Sequence, residues 1–200
     1  GDVDEMGHRF KGGEFWREIP AWKDVDYKTF VDHRWQEKNA ITNHKKLLNT
    51  IQDLVCDDFL EDAKQGFLRA PMAVRVSPYI LSLMDWQDPY NCPIRRQFIT
   101  VASHLQPDHP MMRFDSLNEQ EDSPVKGLTH RYEDKVLFLA LDTCPVYCRY
   151  CTRAYAVGSS TETAEKVSIK ASRDRWEDVF KYLRENKKVQ DVVISGGDSF

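Results

Sequence analysis

The densest group of reactive side chains in the sequence is a set of three cysteines, Cys144, Cys148 and Cys151, within eight residues. They directly follow the apolar run at 136–141, which predicts a buried strand with a tight loop presenting three sulfurs at its C-terminal end. A structural zinc site normally takes four ligands, whereas a [4Fe–4S] cluster held by three thiolates keeps one iron open to another ligand. The spacing therefore favours an iron–sulfur cluster.

The motif Cys-x-x-x-Cys-x-aromatic-Cys, with Tyr150 as the aromatic residue, resembles the signature of radical S-adenosylmethionine (SAM) enzymes. Three further segments resemble the corresponding segments of the lysine 2,3-aminomutase branch of that superfamily, namely GLTHRY at 127–132, CTR at 151–153 and ISGGD at 194–198. This resemblance implies an α/β fold, in which an N-terminal helical region precedes the start of a partial (βα)6 radical SAM barrel that is incomplete in this chain. It also implies three cofactors, a [4Fe–4S] cluster, SAM and pyridoxal 5′-phosphate (PLP).

The resemblance assigns roles to individual residues. Cys144, Cys148 and Cys151 would be the cluster ligands, Tyr150 would pack near the adenine of SAM, and Arg153 would contact carboxylate groups, which suits a planar, always charged guanidinium. Glycines after a strand let main chain approach a ligand closely. The family uses the corresponding segment for the methionyl end of SAM, here Ser195, Gly196, Gly197 and Asp198.

Three residues before the cysteines match positions that hold the PLP phosphate in the family, namely Arg131, Tyr132 and Lys135. Lys135 replaces the usual arginine, so the charge is kept but the bidentate fork is lost. By resemblance, the Schiff-base lysine and the carboxylates that recognise the substrate belong to the C-terminal half of the family's proteins, which this chain is expected to lack. The chain by itself is therefore expected to be inactive.

The pattern of the chain predicts three regions. Residues 1–26 are expected to be an irregular N-terminal arm, and 27–126 a helical region with a linker. Residues 127–200 are expected to hold the first βαβ portion of the barrel. Helices are predicted over 27–39, 43–56 and 57–67 (the last in short pieces that stop at Gly66), then at 78–84 and over 93–105, with Arg95 and Arg96 exposed.

The predicted βαβ portion contains strands at 135–141 and 191–194, bridged by a helix over 172–187 that Ser172 caps. Two strands joined in this way pair in parallel. The helix is expected to bury one face, formed by Trp176, Val179, Phe180 and Leu183.

Composition excludes several classes of protein. Apolar residues make up 41% of the 200 positions, and the net charge of −4 argues against a nucleic-acid partner, which would favour a basic excess. The sequence has no apolar run of the roughly 18 residues that a membrane span needs. Five cysteines, three of them clustered, fit a reducing, cytoplasmic compartment better than a disulfide framework. The resemblance adds a homo-oligomer as the expected full-length assembly.

The predicted reaction moves the amino group of an amino acid from C2 to C3 through a 5′-deoxyadenosyl radical, with L-lysine as the substrate by resemblance. A glutamate 2,3-aminomutase and an enzyme that supplies β-lysine for elongation factor P remain alternatives. A zinc-stabilised binding module and an inactive fragment are the non-enzyme alternatives. His130 is the nearest histidine for zinc, but it precedes the predicted strand and would lie at the opposite end from the cysteines.

Overall fold

The computed structural model describes residues 11–198, and within that range the chain forms two compact units. One unit combines Pro145–Arg149 with the described residues up to Gln106, and it is helical. The other combines Pro107–Cys144 with the described residues from Tyr150 onward, and it contains a sheet and one helix. None of the helices in residues 11–198 is long and apolar enough to cross a membrane.

The helical unit is built from short elements with polar side chains at their starts. Its α-helices in the described range are α1 (Tyr27–Phe30), α2 (His33–Asn39), α3 (His44–Ile51), α4 (Asp57–Arg69), α5 (Pro78–Leu83) and α6 (Pro93–Phe98). The prediction of one helix over 27–39 is wrong, because the Asp32 side chain accepts a hydrogen bond from the Trp35 amide at 2.8 Å and starts a new helix.

Helix α4 corrects the prediction of short pieces ending at Gly66. The helix continues through this glycine to Arg69. A Cβ atom at position 66 would lie 2.6 Å from the carbonyl oxygen of Thr100, so the glycine allows close packing of the helix against that main chain. A glycine inside a helix therefore marks a close contact here, not an end.

The irregular arm predicted for 1–26 is wrong for the part that forms two 3-10 turns, Phe15–Glu18 and Pro20–Trp22. Trp16 is 1% exposed, stacks on Phe30 with ring centroids 4.5 Å apart, and donates its indole N–H to the carbonyl of Val25. This segment is part of the hydrophobic core because its aromatic side chains fill it. The remainder of the predicted arm, residues 1–10, lies outside the described residues.

Helix α6 is shorter than predicted, and Arg95 within it is fully buried where exposure was expected. Its guanidinium donates to the main-chain carbonyls of Pro89 and Tyr90, both at 2.6 Å, and of Ile99 at 3.0 Å. Burial lowers the pKa of Arg95 to about 10. Three carbonyls thus satisfy a cation in the helical core.

The strands of the second unit are β1 (Leu128–Tyr132), β2 (Lys135–Leu141) and β3 (Asp191–Gly196), in the order β1-β2-β3 among the described residues. Strands β2 and β3 pair in parallel, which confirms the prediction, and α7 (Arg173–Glu185) connects them. Strand β1 pairs antiparallel with β2 and was not predicted. Its polar sequence, LTHRY, lacks the apolar pattern that indicates a strand.

Helix α7 starts as predicted, with the Ser172 hydroxyl accepting a hydrogen bond from the Arg175 amide at 3.2 Å. Val179 is fully buried against the sheet, whereas Phe180, expected on the same face, is 38% exposed. The helix is held to β2 by the buried guanidinium of Arg175. That guanidinium donates to five main-chain carbonyls, those of Lys126, Leu139, Ala140, Ile169 and Lys170.

Candidate active site

Main-chain pairing continues past the end of β3 and brings the segment ISGGD beside the residues that lead to Cys144. The amide of Gly197 donates to the carbonyl of Leu141 at 2.6 Å, and the amide of Asp198 donates to the carbonyl of Thr143 at 3.1 Å. Thr143 immediately precedes the first cysteine. Two of the predicted site segments are therefore neighbours in the sheet unit.

The two glycines of this segment are required by the closeness of that pairing. Gly196 has φ +117°, a conformation that side chains disfavour. A Cβ atom at Gly196 would collide with the main chain of Leu141, and one at Gly197 with the main chain of Thr143. Approach of the glycines to a ligand stays a prediction, because the close neighbour in the structure is the preceding strand.

Arg153 and Ser195, both predicted to serve SAM, are brought together. Arg153 is half-buried, and its Nη1 donates to the Ser195 hydroxyl at 3.4 Å. The other side of the guanidinium donates from Nε and Nη2 to the two carboxylate oxygens of Glu119, at 3.2 and 3.0 Å. A carboxylate thus holds Arg153 from one edge, as bidentate guanidinium–carboxylate pairs do.

Sequence reasoning missed Glu119. It is 4% exposed, and its carboxylate also accepts a hydrogen bond at 2.7 Å from the buried hydroxyl of Tyr155. Burial, followed by the hydrogen bond to Glu119, raises the pKa of Tyr155 above its ordinary range. Nothing in the sequence separated Glu119 from the other acidic residues of the polar loop at 106–126.

The three cysteines of the motif, Cys144, Cys148 and Cys151, are each half-buried. The segment Pro145–Arg149 contains Cys148 and belongs to the helical unit, where the amide of Tyr147 donates to the Arg75 carbonyl at 2.8 Å. The amide of Arg149 donates to the Gln97 carbonyl at 2.8 Å. Within residues 11–198 no three His, Cys, Asp or Glu side chains form a group able to hold a metal ion. The thiols suit a cluster by type and spacing, and their role as cluster ligands stays a prediction.

The remaining cysteines and His130 have other surroundings. Cys56 is exposed, and the sulfur of buried Cys92 accepts hydrogen bonds from the amides of Asp85 and Arg95. Nδ1 of His130 lies 2.6 Å from the Tyr182 hydroxyl. These contacts give Cys92 and His130 hydrogen-bonding roles that need no zinc.

Lys166 is a second residue that the sequence did not indicate. Its ammonium group donates to the carbonyl of Ala154 and lies 4.9 Å from the ring centre of Phe114. Burial lowers its pKa to about 8. The amide of Ala154 in turn donates to the carbonyl of Cys151 at 3.1 Å, so Lys166 stabilises the turn that follows the last cysteine.

The residues predicted to hold the PLP phosphate line one cavity of about 240 Å³, together with Val193 of β3. Arg131 donates to Asp122 and to the Leu117 carbonyl, both at 2.6 Å, and the hydrogen bond to Asp122 raises its pKa. Tyr132 is 61% exposed, and Lys135 lies 3.5 Å from the Asp134 carboxylate. The structure therefore gathers these side chains around a common space.

Tyr150 is 65% exposed, and its packing near an adenine stays a prediction.

Comparison with known proteins identifies relatives over most of the chain, although no family model matches it. The L-lysine 2,3-aminomutase of Bacillus subtilis (strain 168) is 35% identical over 191 residues, which are 94% of this chain and 37% of that protein. That of Clostridium subterminale is 36% identical over 185 residues, 92% of this chain and 41% of that protein. This chain is a relative of the lysine 2,3-aminomutases.

The recognition of the lysine 2,3-aminomutase branch of radical SAM enzymes from the sequence is thereby confirmed. The glutamate 2,3-aminomutase of Clostridioides difficile (strain 630) is also similar, at 27% identity over 173 residues, 84% of this chain and 36% of that protein. The chain spans about two fifths of the length of the curated aminomutases that it matches.

The substitution Gly197→Ala tests whether the close contact between ISGGD and the main chain before Cys144 requires a residue without a side chain at position 197. The new methyl group must displace the Thr143 main chain, so we expect a loss of about 1–3 kcal/mol in the free energy of unfolding. Hydrogen exchange at the amide of Asp198 should become faster. Urea denaturation and native-state exchange measure the two effects.

Gly12→Ala is the control, because no atom lies within 4 Å of its added Cβ atom. It should change the free energy of unfolding by less than about 0.5 kcal/mol. Equal stability of the two variants, with unchanged exchange at Asp198, would contradict the close contact.

Proposed function

We propose that this chain is part of a PLP-dependent radical SAM 2,3-aminomutase that moves the α-amino group of L-lysine from C2 to C3. The observation that carries the proposal is the hydrogen bond between two predicted SAM residues, Arg153 in the loop that follows the cysteines and Ser195 in β3. The similarity to lysine 2,3-aminomutases supports the same reaction. The proposal includes a reducing cytoplasm, because thiolate ligands need reducing surroundings. It also includes a homo-oligomer as the assembly of the whole protein.

Each group of residues has a defined task in this proposal. Cys144, Cys148 and Cys151 would hold a [4Fe–4S] cluster with one open iron. When bound, the cluster and SAM supply the 5′-deoxyadenosyl radical that starts the reaction. The protein's own contribution is binding and orientation of the cofactors, with Arg153 donating to a carboxylate and Ser195–Asp198 supporting the methionyl end of SAM.

Glutamate is the second candidate substrate, and the identity values favour lysine. The lysine enzymes of Bacillus subtilis and Clostridium subterminale are 35% and 36% identical to this chain, compared with 27% for the glutamate enzyme. Incubation of the whole proposed enzyme, of which this chain would be a part, with each amino acid, followed by chromatography for the β-isomer, decides between them. Formation of β-glutamate without β-lysine would overturn the proposed substrate.

Metal assembly tests the cysteine ligands directly. Anaerobic reconstitution with iron and sulfide should give about four irons per chain, the content of a [4Fe–4S] cluster. Cys144→Ala, Cys148→Ala and Cys151→Ala should each lose most of that iron. Cys56→Ala, which alters an exposed cysteine outside the motif, should retain it. Iron, sulfide and zinc analysis measures the outcome.

A colourless protein with one zinc per chain would overturn the cluster and favour the zinc-stabilised module. Equal iron in Cys56→Ala and the three motif variants would show that the iron is bound elsewhere. Circular dichroism of every variant checks that each one folds.

Binding of PLP tests the cavity lined by Arg131, Tyr132 and Lys135. Lys135→Ala removes a cation that pairs with phosphate, so the PLP dissociation constant should rise about tenfold. Lys187→Ala, at an exposed lysine after α7, should leave it unchanged. Pyridoxal, which lacks the phosphate, should bind both variants equally well in the same equilibrium dialysis. Loss of pyridoxal and PLP affinity together would contradict a phosphate role for Lys135.

A further inference from the structure

Lys166 lies in a short segment that pairs with the turn after the last cysteine of the motif. The amide of Val167 donates to the carbonyl of Tyr155 at 2.8 Å, and the amide of Lys166 donates to the Ser160 hydroxyl at 3.1 Å. The ammonium group of Lys166 donates to the carbonyl of Ala154. Contacts of the main chain and of the side chain therefore hold this lysine against the turn.

The surroundings of the ammonium group are aromatic on one side and close to a cysteine. The Lys166 side chain is half-buried, and its nitrogen lies 4.9 Å from the ring centre of Phe114, where the face of a ring attracts a cation. Burial lowers the pKa of Lys166 to about 8, and the charge of Cys151 is the second cause, which raises it. The ammonium form is thus favoured by negative charge on the Cys151 sulfur.

A second cation of the same turn is placed differently. Arg153 is paired with the carboxylate of Glu119 at 3.0 Å, and this anion offsets the arginine charge. The contacts of Lys166 with the Ala154 carbonyl and with the Phe114 ring are contacts with neutral groups, which leave the lysine charge in place. The charge of Lys166 can therefore act on the last cysteine of the motif.

We propose that Lys166 is a positioning residue that places a positive charge beside Cys151 and thereby makes the iron–sulfur cluster easier to reduce. The inference rests on the proposed function, in which Cys151 is a cluster ligand. A reduced [4Fe–4S] cluster carries one more electron than the oxidised cluster, so a nearby cation stabilises the reduced form more. Local charge, hydrogen bonds and burial are features by which a protein sets the reduction potential of such a cluster.

The test is a redox titration of the reconstituted protein, in which dithionite supplies the electron and EPR measures the reduced cluster. Lys166→Gln removes the charge and keeps an N–H donor for the Ala154 carbonyl. At one solution potential, the ratio of reduced to oxidised cluster should fall about tenfold, a shift of about 59 mV to lower potential for one electron. Lys166→Arg keeps the charge and should stay within about twofold of the wild-type ratio.

Lys170→Gln is the matched control, because it removes the same charge from an exposed lysine of the same unit. Its ratio of reduced to oxidised cluster should stay within about twofold of the wild-type value, since salt and water screen an exposed charge.

Two measurements separate the charge of Lys166 from its support of the turn. Iron analysis should give the wild-type iron content in Lys166→Gln and Lys166→Arg. Lys166→Met, which removes the charge and the donor together, should share the lower potential of Lys166→Gln. Hydrogen exchange at the Ala154 amide should become faster in Lys166→Met alone, because only this variant cannot donate to the turn.

Equal potentials of the wild-type protein, Lys166→Gln and Lys166→Met, with full iron in each, would overturn the inference. An equal fall in potential in Lys166→Arg and Lys166→Gln would overturn it too, because the shape of the side chain and not its charge would then matter. Failure of the wild-type protein to assemble a cluster would instead overturn the proposed function. The iron content of the wild-type protein therefore separates the two failures.

Discussion

Parallel main-chain pairing between β2 and β3 is the constraint on which the candidate site depends. The cysteine motif follows β2, and the ISGGD segment at 194–198 begins within the last residues of β3 and continues past its end. The pairing extends to the Asp198 amide and the Thr143 carbonyl, one residue before Cys144. Glycines at 196 and 197 make this possible because any side chain there would enter the main chain of β2 or its extension.

Buried charges fix the surroundings of this pairing in two different ways. Arg175 ties the first turn of α7 to β2 through carbonyls of the main chain, so it satisfies polar groups that would otherwise be buried alone. Arg153 is paired with the carboxylate of Glu119 and still reaches Ser195. The first arrangement serves the fold alone, whereas the second leaves one edge of a cation directed at a predicted ligand segment.

The features of the fold that depend on residues close together in the sequence were predicted correctly. The apolar run of β2, the capping by Ser172 and the parallel partner strand were predicted correctly from spacing and residue type. Gly66, Arg95 and Glu119 could not be predicted correctly, because the role of each is set by a neighbour distant in sequence or by main-chain carbonyls. Strand β1 was missed since its pairing, and not its own pattern, makes it a strand.

The most direct test of the central claim is electron paramagnetic resonance of the reconstituted and reduced protein, recorded with and without SAM. If three cysteines leave one iron open and the adjoining segment holds SAM against it, the cluster signal should change when SAM is added. Adenosine, which lacks the methionyl part, should leave the signal unaltered. A cluster signal that is identical with saturating SAM and without it would contradict the account.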